Sequence, residues 1–577
     1  MAKKKREPDK NNPLHKNAIY EGIVEDVTLD GNGVVKIDGY TMFVPMTAVG
    51  DRIRLKAVKL QKNYGFGIIE QVITPSPARI KSPCPVFKQC GGCSFQHISY
   101  VEELRLKEKT VLDAFTRLGG FSVCTNQQDH PETGEPVMEP ILGCEGGGLS
   151  SSRYRNKAQY PIGMVNGHVC AGFYARRSHR IIPGEDCLIQ DEAFASVVHT
   201  LTEAADALKI PAYSEETHEG ILRHLFLRRG RKSGELMACI VTTKEKFPRR
   251  EELVQRLTAA HPEITGVLLN INPDVTNVIM GKKTICLYGK PYLEDELLGV
   301  RFKIAPEAFY QVNAGQTERL YSLGFDYADF KGNETLLDLY CGIGSIGLTA
   351  FHKVGRLIGV EVVPQAIESA KENARLNGIP EENAQFFCAD AGEAALQLEK
   401  EGLHPGVVLV DPPRKGCSPD VLDSICRMGP ERIVMISCNP ATAARDAKIL
   451  CDEMHGYRLI RFRAVDMFPR TGHVETVVLL SKGEIDSKKV RVEFSLEGMD
   501  MSGFQKGATY EQIKAYVLKH TGLKVSSLYI SQVKRKCGLD VGQNYNLSKK
   551  ENAKVPQCPP EKEAAIVEAL KYFQMLE

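Results

Sequence analysis

The chain has 577 residues, a length that predicts several domains, because a single hydrophobic core seldom grows beyond about 300 residues. A hydrophobic share of 43% with a charged share of 25% is typical of a soluble globular protein. The net charge of +2 excludes nucleic-acid binding through bulk charge, so any such binding must come from local basic patches.

The 17 cysteines bear on the compartment that we expect. No apolar stretch at the N-terminus resembles a signal peptide, and no window is long and apolar enough to span a membrane. We therefore expect a cytoplasmic protein without a membrane partner. In a reducing cytoplasm, cysteines serve metal binding, catalysis or core packing rather than disulfide bonds.

The N-terminal part divides into a basic arm and an all-β segment. Residues 1–16 are polar and rich in lysine, which predicts a disordered arm that either contacts RNA phosphates or is simply solvated. Short alternating runs separated by turns such as D-G-N-G follow, from Ala18 to Ile73. They predict a small closed β-barrel over residues 17–76.

Three cysteines at C-x5-C-x2-C spacing follow the barrel: Cys84, Cys90 and Cys93. Two glycines lie between the last two, and they permit the tight backbone that lets thiolates converge on one centre. Cys187, in P-G-E-D-C-L, is the candidate fourth ligand. Four thiolates bind either tetrahedral zinc or an iron–sulfur cluster, and the spacing alone does not separate the two.

A helix and several basic runs follow the cysteines. The stretch 100–118 predicts an amphipathic helix, and the polar stretch 125–152 predicts a loop. The segment S-R-Y-R-N-K-A-Q-Y-P-I-G, residues 152–163, interleaves cations with tyrosines, which suits phosphate contact and base stacking. Further basic runs at 176–180 and 223–232 favour an RNA-facing surface over an ordinary basic strand face.

From about Val300 the pattern changes to alternating strands and helices. T-L-L-D-L-Y-C-G-I-G-S-I-G predicts a strand, a glycine loop and a helix, and its glycines match G-x-G-x-x-G. Such a loop serves S-adenosylmethionine (SAM) as well as NAD. The next strands end at Glu361, Asp390 and Asp411. An N-cap or a solvated charge would explain each acid singly, but ligands of open α/β sheets gather at these strand ends.

A thiol and a carboxylate bound the stretch that carries the strongest chemical signal. Residues 433–437 predict a buried strand, and Cys438 follows it at an Asn-Pro turn. A thiol at the exposed end of a core strand is either a reactive group or a small buried hydrophobe. The stretch ends with F-P-R-T-G-H-V-E, which supplies the carboxylate of Glu475.

Four blocks together resemble the RNA uracil-C5 methyltransferase family: D-L-Y-C-G-I-G, D-P-P-R-K-G, I-S-C-N-P-A-T-A-A-R-D and F-P-R-T-G-H-V-E. P-E-A-F-Y-Q-V-N, from Pro306 to Asn313, matches a further block of that family. The barrel segment resembles a TRAM domain, an OB-like barrel appended to RNA-modifying enzymes. The cysteine loop with Cys187 is similar to the iron–sulfur site of the 23S rRNA (uracil-5-)-methyltransferase branch.

The resemblance implies an α/β fold with four parts after the basic arm. These are a TRAM-like OB barrel over 17–76, a mixed iron–sulfur and RNA-binding region over 77–300, a Rossmann-like SAM-dependent methyltransferase domain over 301–483, and an α-rich extension over 484–577. The helix 100–118 is expected to pack on the methyltransferase domain. The resemblance does not cover the extension, which has no assigned role.

The resemblance also implies roles for individual residues. A [4Fe-4S] cluster, with zinc as the alternative, is expected on Cys84, Cys90, Cys93 and Cys187. SAM contacts are expected from Gln311, Tyr340, Glu361, Asp390 and Asp411. Cys438 is the expected nucleophile and Glu475 the expected general base. Ser345 in place of asparagine, and Tyr340 in place of the commoner phenylalanine, depart from the family pattern at cofactor contacts.

The chemistry of uracil explains the need for a thiolate and a carboxylate. Uracil C5 is too weak a nucleophile to take a methyl group directly, but a thiolate that adds to C6 converts the ring to an enolate. A carboxylate must then remove the C5 proton. We expect nearby positive charge, including that of the SAM sulfonium, to lower the pKa of Cys438. The target base must be single-stranded or flipped out, and Phe309 or Tyr310 can stack on it unless they belong to the core.

The sequence therefore predicts a monomeric enzyme that methylates C5 of a uridine in RNA, with 23S rRNA as the substrate and tRNA as the alternative. An iron–sulfur NAD-dependent oxidoreductase also fits the cysteine and glycine motifs, but it gives no reason for D-P-P-R. A non-catalytic RNA-binding protein is a further alternative, against which the intact Cys438 and Glu475 argue.

The extension has its own predicted elements. V-R-V-E-F-S-L predicts a strand, and Thr509 begins a helix. A second helix ends with Lys534, Arg535 and Lys536, and a last helix runs from Pro560 to about Met575. The basic second helix suggests a nucleic-acid reader, although basic helix ends are common without that role.

Overall fold

The computed structural model describes residues 14–125, 135–144, 153–176, 178–184, 186–482, 510–537, 558–573 and 575. The chain forms two compact units, Met1–Lys489 and Val490–Glu577. Across the described ranges, no helix has the length and apolar character needed to cross a membrane. Most of the basic arm, the V-R-V-E-F-S-L segment and Thr509 lie outside the described residues.

Five strands near the N-terminus close into a barrel in the order β1-β2-β3-β5-β4. They are β1 (Ile19–Val27), β2 (Asn32–Ile37), β3 (Tyr40–Pro45), β4 (Arg52–Leu60) and β5 (Tyr64–Thr74). Alternate residues point inward, so Val35, Met42 and Ile53 are fully buried while their neighbours are not. The predicted OB-like barrel is therefore confirmed.

A seven-stranded sheet follows, with the order β13-β12-β11-β10-β7-β8-β9. Its strands are β7 (Lys157–Val165), β8 (His168–Tyr174), β9 (Ile181–Pro183), β10 (Leu222–Arg229), β11 (Leu236–Thr242), β12 (Ile264–Ile271) and β13 (Lys283–Gly289). Helices α2 (Ala193–Ala207) and α3 (Arg250–Ala260) share one apolar core with this sheet. A hairpin of β14 (Leu293–Leu297) and β15 (Val300–Ile304) leads into the next domain.

The largest sheet has eight strands in the order β18-β17-β16-β19-β20-β22-β21-β6. They are β6 (Val137–Leu142), β16 (Thr335–Leu339), β17 (Arg356–Glu361), β18 (Ala384–Cys388), β19 (Val407–Val410), β20 (Arg432–Ser437), β21 (Arg458–Val465) and β22 (Glu475–Ser481). The helices between them are α4 (Ala314–Ala328), α5 (Ser345–Ala350), a 3-10 turn (Phe351–Lys353), α6 (Pro364–Leu376), α7 (Ala391–Lys400), α8 (Pro419–Met428) and α9 (Pro440–Leu450). Strands β16 to β20 are parallel, and the chain reverses direction across the sheet between β16 and β19, where such sheets bind ligands.

Residues from far upstream complete this sheet. Strand β6 pairs in parallel with β21, although the sequence predicts only a polar loop over 125–152; that prediction is wrong for β6. Pro140 lies inside β6, and a proline in a segment argues against a strand in a sequence-based prediction. It is tolerated here because β6 is at the edge of the sheet. Helix α1 (Tyr100–Asp113) continues as a π-helical turn, Ala114–Gly119, and its buried side chains join the core of the same sheet.

The C-terminal unit contains three described helices around its own small core. They are α10 (Tyr510–Thr521), α11 (Ser527–Lys536) and α12 (Pro560–Tyr572). Their apolar side chains, among them Ile513, Ile530 and Ile566, are fully buried. Lys534 is only 6% exposed, and Lys536 pairs with Glu563 at 2.7 Å. One of the three cations at the end of α11 is thus buried and another is ion-paired within the unit. This weakens the case for a nucleic-acid reader there.

The docking of the π-helical turn makes a stability prediction. The rings of Phe115 and Phe462 stack with centroids 4.1 Å apart, and both side chains are fully buried. We expect Phe115→Ala to lower the free energy of unfolding by about 3–5 kcal/mol, because it leaves a cavity beneath β21. Chemical denaturation measures this. Phe115→Leu is the control, with an expected loss below about 1.5 kcal/mol. If both variants lost the same small amount of unfolding free energy, the π-helical turn would not be docked on this core.

Candidate active site and cysteine cavity

The ends of strands β17, β16 and β19 lie in register, so Glu361, Tyr340 and Asp411 stand side by side at one edge of the sheet. The Glu361 carboxylate accepts a hydrogen bond from the backbone N–H of Gly342 at 3.2 Å and ties the end of β17 to the glycine loop. Tyr340 has a φ of 67°, a left-handed conformation that is strained for an aromatic residue. Strain of this kind clusters at functional sites.

Asp390 lies at the same edge and also caps a helix. Its carboxylate accepts a hydrogen bond from the backbone N–H of Gly392 at 2.9 Å, so the N-cap explanation describes part of its role. Gln311 is placed differently. It is 7% exposed, and its described hydrogen bond joins its backbone carbonyl to the Asn156 side chain at 3.1 Å rather than to the strand-end acids.

A buried row of acids runs along this edge. Burial, with a smaller effect of the charges of Asp411 and Glu361, raises the pKa of Asp338 to about 8 against a hydrogen bond from the Gly347 N–H. Burial also raises the pKa of Asp411 to about 7. Carboxyls that crowd in this way favour positive charge among them. Sequence reasoning did not single out Asp338, whose position inside the D-L-Y-C-G-I-G strand was the available signal.

Cys438 and Glu475 come together at the neighbouring strand ends. Ser437 and Thr476 are partners in the antiparallel ladder of β20 and β22, so the next position along the ladder sets Cys438 opposite Glu475. Glu475 is 4% exposed and Cys438 is partly buried. The ionisation of each group bears on the other, since the Glu475 charge is among the causes that raise the pKa of Cys438.

The direction of the Cys438 shift corrects one expectation. Burial raises the pKa of Cys438, and the carboxylates of Glu475 and Asp411 raise it further, while Arg414 lowers it. The expectation of a lowered pKa is therefore wrong for the protein without SAM, because burial and the two carboxylates together outweigh the charge of Arg414. Burial likewise raises the pKa of Glu475 to about 8, with Asp411 adding to the shift and Arg414 opposing it.

Arg414 is a site residue to which sequence reasoning assigned no role, although it belongs to the D-P-P-R block. The Asn439 side chain donates to the Arg414 carbonyl at 3.0 Å and accepts from the N–H of Ala441 at 3.1 Å. This asparagine thus holds the Arg414 loop against the Cys438 turn. Ser345, the departure in the glycine loop, forms a hydrogen bond with the Tyr321 hydroxyl at 3.1 Å.

The four predicted ligand cysteines line a single cavity of about 220 Å³. They are Cys84, Cys90, Cys93 and Cys187. The backbone N–H of Gly92 donates to the Cys90 sulfur at 3.4 Å, and the Gln96 amide donates to the Cys93 sulfur at 3.7 Å. Donors aimed at sulfur favour thiolates. Burial raises the pKa of Cys93 to about 12 and also raises that of Cys187, so these thiols ionise only beside a strong positive charge such as iron.

Zinc and an iron–sulfur cluster require different arrangements of four thiol ligands. In the part of the chain that the structure describes, no group of three or more His, Cys, Asp or Glu side chains is placed to hold a single metal ion. Zinc requires four ligands about 2.3 Å from one centre. In an iron–sulfur cluster each thiolate binds its own iron, so the thiolates stand farther apart. Four thiols around one cavity, with donors to two of the sulfurs, are a ligand set that either a cluster or zinc would take.

The basic runs of the central region serve two purposes. Arg223 and Arg228 are 2% and 1% exposed and donate to backbone carbonyls, so they are structural rather than RNA-facing. A second cavity, of about 230 Å³, lies at the start of α4. Four arginines are among the residues that line it: Arg153, Arg229, Arg231 and Arg319.

Phe309 is 64% exposed, whereas Tyr310 is 3% exposed and belongs to the core. Of these two aromatics, only Phe309 is open to a base.

Comparisons with known proteins agree with this geometry. A family model described as tRNA (uracil-5-)-methyltransferase matches residues 275–483. A protein of Halalkalibacterium halodurans, named as an uncharacterized RNA methyltransferase, is 43% identical over 468 residues, which are 81% of this chain and 98% of that protein. One of Listeria monocytogenes with the same description is 44% identical over 467 residues, with the same shares. The chain belongs to the RNA uracil-C5 methyltransferase family.

A solved structure extends the comparison to the fold. The tRNA (uracil-54, C5)-methyltransferase of Pyrococcus abyssi, in complex with S-adenosyl-L-homocysteine, superposes with a TM-score of 0.62 at 25% identity. The match covers 80% of this chain and 100% of that one. The predicted Rossmann-like methyltransferase fold is therefore confirmed, and so is an enzyme that uses SAM.

The raised pKa of Glu475 predicts a pH-dependent stability. Its carboxyl keeps its proton up to about pH 8 in the folded protein, against an ordinary value of 4.5. Ionisation therefore opposes folding, and the stabilising contribution of Glu475 is lost as the pH rises through this window. We expect Glu475→Gln to melt at a higher temperature than the wild type at about pH 8.5, and at nearly the same temperature at about pH 4.

Thermal melts across this pH range measure the effect. Glu296→Gln, at an exposed glutamate of β14, is the matched control, and its difference from the wild type is expected to stay constant. A Glu475→Gln difference that does not grow with pH would contradict the raised pKa.

Proposed function

We propose that this enzyme methylates C5 of a uridine in RNA through a covalent adduct on Cys438. The observation that carries the proposal is the pairing of Cys438 and Glu475 at the adjoining ends of β20 and β22, beside the row of strand-end acids. A nucleophile and a base at one sheet edge, next to a cofactor site, are what this reaction requires.

In the proposed mechanism the Cys438 sulfur adds to C6 of the uracil and C5 becomes nucleophilic. SAM, when bound, supplies the methyl group that C5 takes. Glu475 then removes the remaining proton from C5, the electron pair of that C–H bond restores the C5–C6 double bond, and the C6–S bond breaks to release the product and the thiolate. Glu475 takes this proton in its ionised form, which the charge of Arg414 favours. With a pKa of about 8 that carboxylate is a stronger base than an ordinary glutamate.

The charges around Cys438 bear on how the thiolate forms. Burial and neighbouring carboxylates hold its pKa above the ordinary range, so the thiol predominates in the protein without ligands. Arg414 is the nearby cation that favours the thiolate, and a bound sulfonium adds a second positive charge. Binding of the cofactor and activation of the nucleophile are thereby linked.

The strand-end residues are proposed to hold SAM. Tyr340 and Glu361 border the glycine loop, and Asp390 and Asp411 follow the flanking strands. An open α/β sheet binds its ligand at such a position. Gln311 is retained as a contact on the strength of the family resemblance, although its described hydrogen bond runs to Asn156.

The cysteine cavity is proposed to hold a [4Fe-4S] cluster on Cys84, Cys90, Cys93 and Cys187. The size of the cavity, the four thiols and the donors to two of the sulfurs support this. A cluster would supply four bonds that tie the loop of the first three cysteines to the segment of Cys187.

For the substrate we propose 23S rRNA, bound by residues 17–300 and presented to the domain of residues 301–483. The four cysteines around one cavity support the rRNA branch, because that branch carries the iron–sulfur site. The arginine-lined cavity and the exposed Phe309 are proposed RNA contacts. A tRNA is the second candidate, favoured by the description of the matching family model and by the Pyrococcus abyssi enzyme.

Mapping of 5-methyluridine by mass spectrometry, in rRNA and tRNA from cells with and without the gene, tests the substrate. Loss of a 23S rRNA site supports the proposal. Loss of a tRNA site alone supports the alternative, and no loss in either RNA contradicts uridine methylation.

Substitutions of the thiol and the carboxylate separate the two halves of the mechanism. We expect Cys438→Ala to abolish methylation and to form no covalent complex with 5-fluorouridine RNA, because the substitution removes the proposed nucleophile. Glu475→Gln is expected to attack and accept the methyl group but to accumulate the adduct on denaturing gels. Cys286→Ala, at an exposed cysteine of β13, is the control with wild-type turnover. Full turnover by Cys438→Ala would refute the mechanism.

The cluster proposal is tested by iron analysis of protein purified without oxygen. We expect about four iron and four sulfide per chain, as a [4Fe-4S] cluster contains. Cys93→Ser is expected to lose most of the iron and the visible absorbance, whereas Cys286→Ser keeps both. Zinc in place of iron, or metal that survives Cys93→Ser, would overturn the assignment.

A further inference from the structure

The loop that ends at Glu475 is held at every step of its first half. Residues 466–474 connect β21 to β22. Each backbone carbonyl from 466 to 470 accepts a hydrogen bond from another segment, with the donors in order Gln316, Asn313, Lys107, Tyr154, and the paired Ser94 and Phe95. A surface loop without secondary structure seldom has so complete a set of partners.

The last of these bonds reaches the cysteine loop. The Arg470 carbonyl accepts from the backbone N–H groups of Ser94 at 2.9 Å and Phe95 at 3.1 Å, the two residues that follow Cys93. The Arg470 guanidinium donates to the Ile98 carbonyl at 3.2 Å. Arg470 therefore contacts the chain after Cys93 with both its backbone and its side chain.

A buried charge network surrounds the same residue. The Arg470 N–H donates to the Glu103 carboxylate at 2.6 Å. Lys107 bridges Glu103 at 2.8 Å and Asp466 at 2.7 Å, and all three of these side chains are fully buried. Removal of one member of such a network leaves another charge unpaired in the interior and is strongly destabilising locally. The network fixes both ends of the 466–470 segment to helix α1.

The second half of the loop packs tightly against the barrel at Gly472. A Cβ atom on Gly472 would lie 1.6 Å from the Leu29 carbonyl oxygen of the barrel, so only glycine fits there. Glu475 follows three residues later. No hydrogen bond to its carboxylate is found among the described residues, so its position depends on the backbone that carries it.

We propose that Arg470 is a positioning residue that fastens the loop of Glu475 to the cysteine loop. The inference rests on the proposed role of Glu475 as the base. It follows that a folded cysteine loop is required for the Glu475 carboxylate to reach C5, while attack by Cys438, on the neighbouring strand β20, does not depend on it.

Hydrogen exchange tests the mechanical link on the full chain without RNA or SAM. We expect Arg470→Ala to raise the exchange of the Ser94 and Phe95 amides and of residues 466–474 about tenfold or more, because the guanidinium contacts with the Ile98 carbonyl and Glu103 are lost and only the backbone bonds remain. Cys93→Ser is expected to raise exchange in 466–474 as well. Arg432→Ala is the matched control. Arg432 is 5% exposed, close to the 6% of Arg470, but lies at the opposite end of β20, so neither segment is expected to change.

The adduct assay tests the consequence for the base. With uridine RNA and SAM, we expect Arg470→Ala to slow turnover by about 10–100-fold and to accumulate methylated adduct, as a displaced base would. Its rate of adduct formation with 5-fluorouridine RNA is expected to stay within about threefold of the wild type, since Cys438 is not displaced. Arg470→Lys, which keeps the cation beside Glu103, is expected to recover part of the turnover.

Different results separate this inference from the proposed function. If the wild-type enzyme forms no Cys438 adduct, the proposed function is refuted. The hydrogen-exchange experiment then still tests whether Arg470 connects the two loops. Unchanged exchange in 466–474, or parallel loss of adduct formation and turnover in Arg470→Ala, would overturn the positioning role. If the Arg470→Ala protein is too unstable to assay, Arg470→Lys is tested instead. The same outcomes decide, with smaller expected changes in exchange and turnover.

Discussion

The active site depends on one reversal of strand direction. Strands β16 to β20 run parallel, so their carboxyl ends share an edge, whereas β22 runs antiparallel beside β20. A residue at the start of β22 therefore lies at the same edge as residues that follow the parallel strands. Glu475 opens β22, and a parallel β22 would place it at the opposite edge, the length of a strand away from Cys438.

The same edge collects more negative charge than the fold itself neutralises. Asp338, Asp411 and Glu475 all have raised pKa values because they are buried, and nearby carboxylates add to the shifts of Asp338 and Glu475. Such crowding costs stability in the protein alone and is relieved by a cationic ligand. A sulfonium cofactor is such a ligand, so the features that weaken the empty site are those that suit it to SAM.

Much of this site follows from local sequence. A strand end, a glycine loop and an Asn-Pro turn are short-range patterns, and parallel pairing then brings Glu361, Asp411 and Cys438 to one edge. The pairing of β6 with β21 joins residues more than 300 positions apart, and no periodicity in either segment indicates it. The direction of the Cys438 pKa shift was also beyond the sequence, because it depends on how deeply the thiol is buried and on which carboxylates lie near it in space.

Arginine content was an equally ambiguous signal. Arg223 and Arg228 lie in a basic run that resembles a nucleic-acid contact, yet both are buried and bind backbone carbonyls. Arginine does this well because its planar fork satisfies several carbonyls at once. The Arg470 guanidinium likewise donates to a backbone carbonyl, that of Ile98. Cys93 and Glu475 are far apart along the chain, but Arg470, in the loop that ends at Glu475, contacts the residues that follow Cys93, so distance in sequence gave no measure of how close their segments lie.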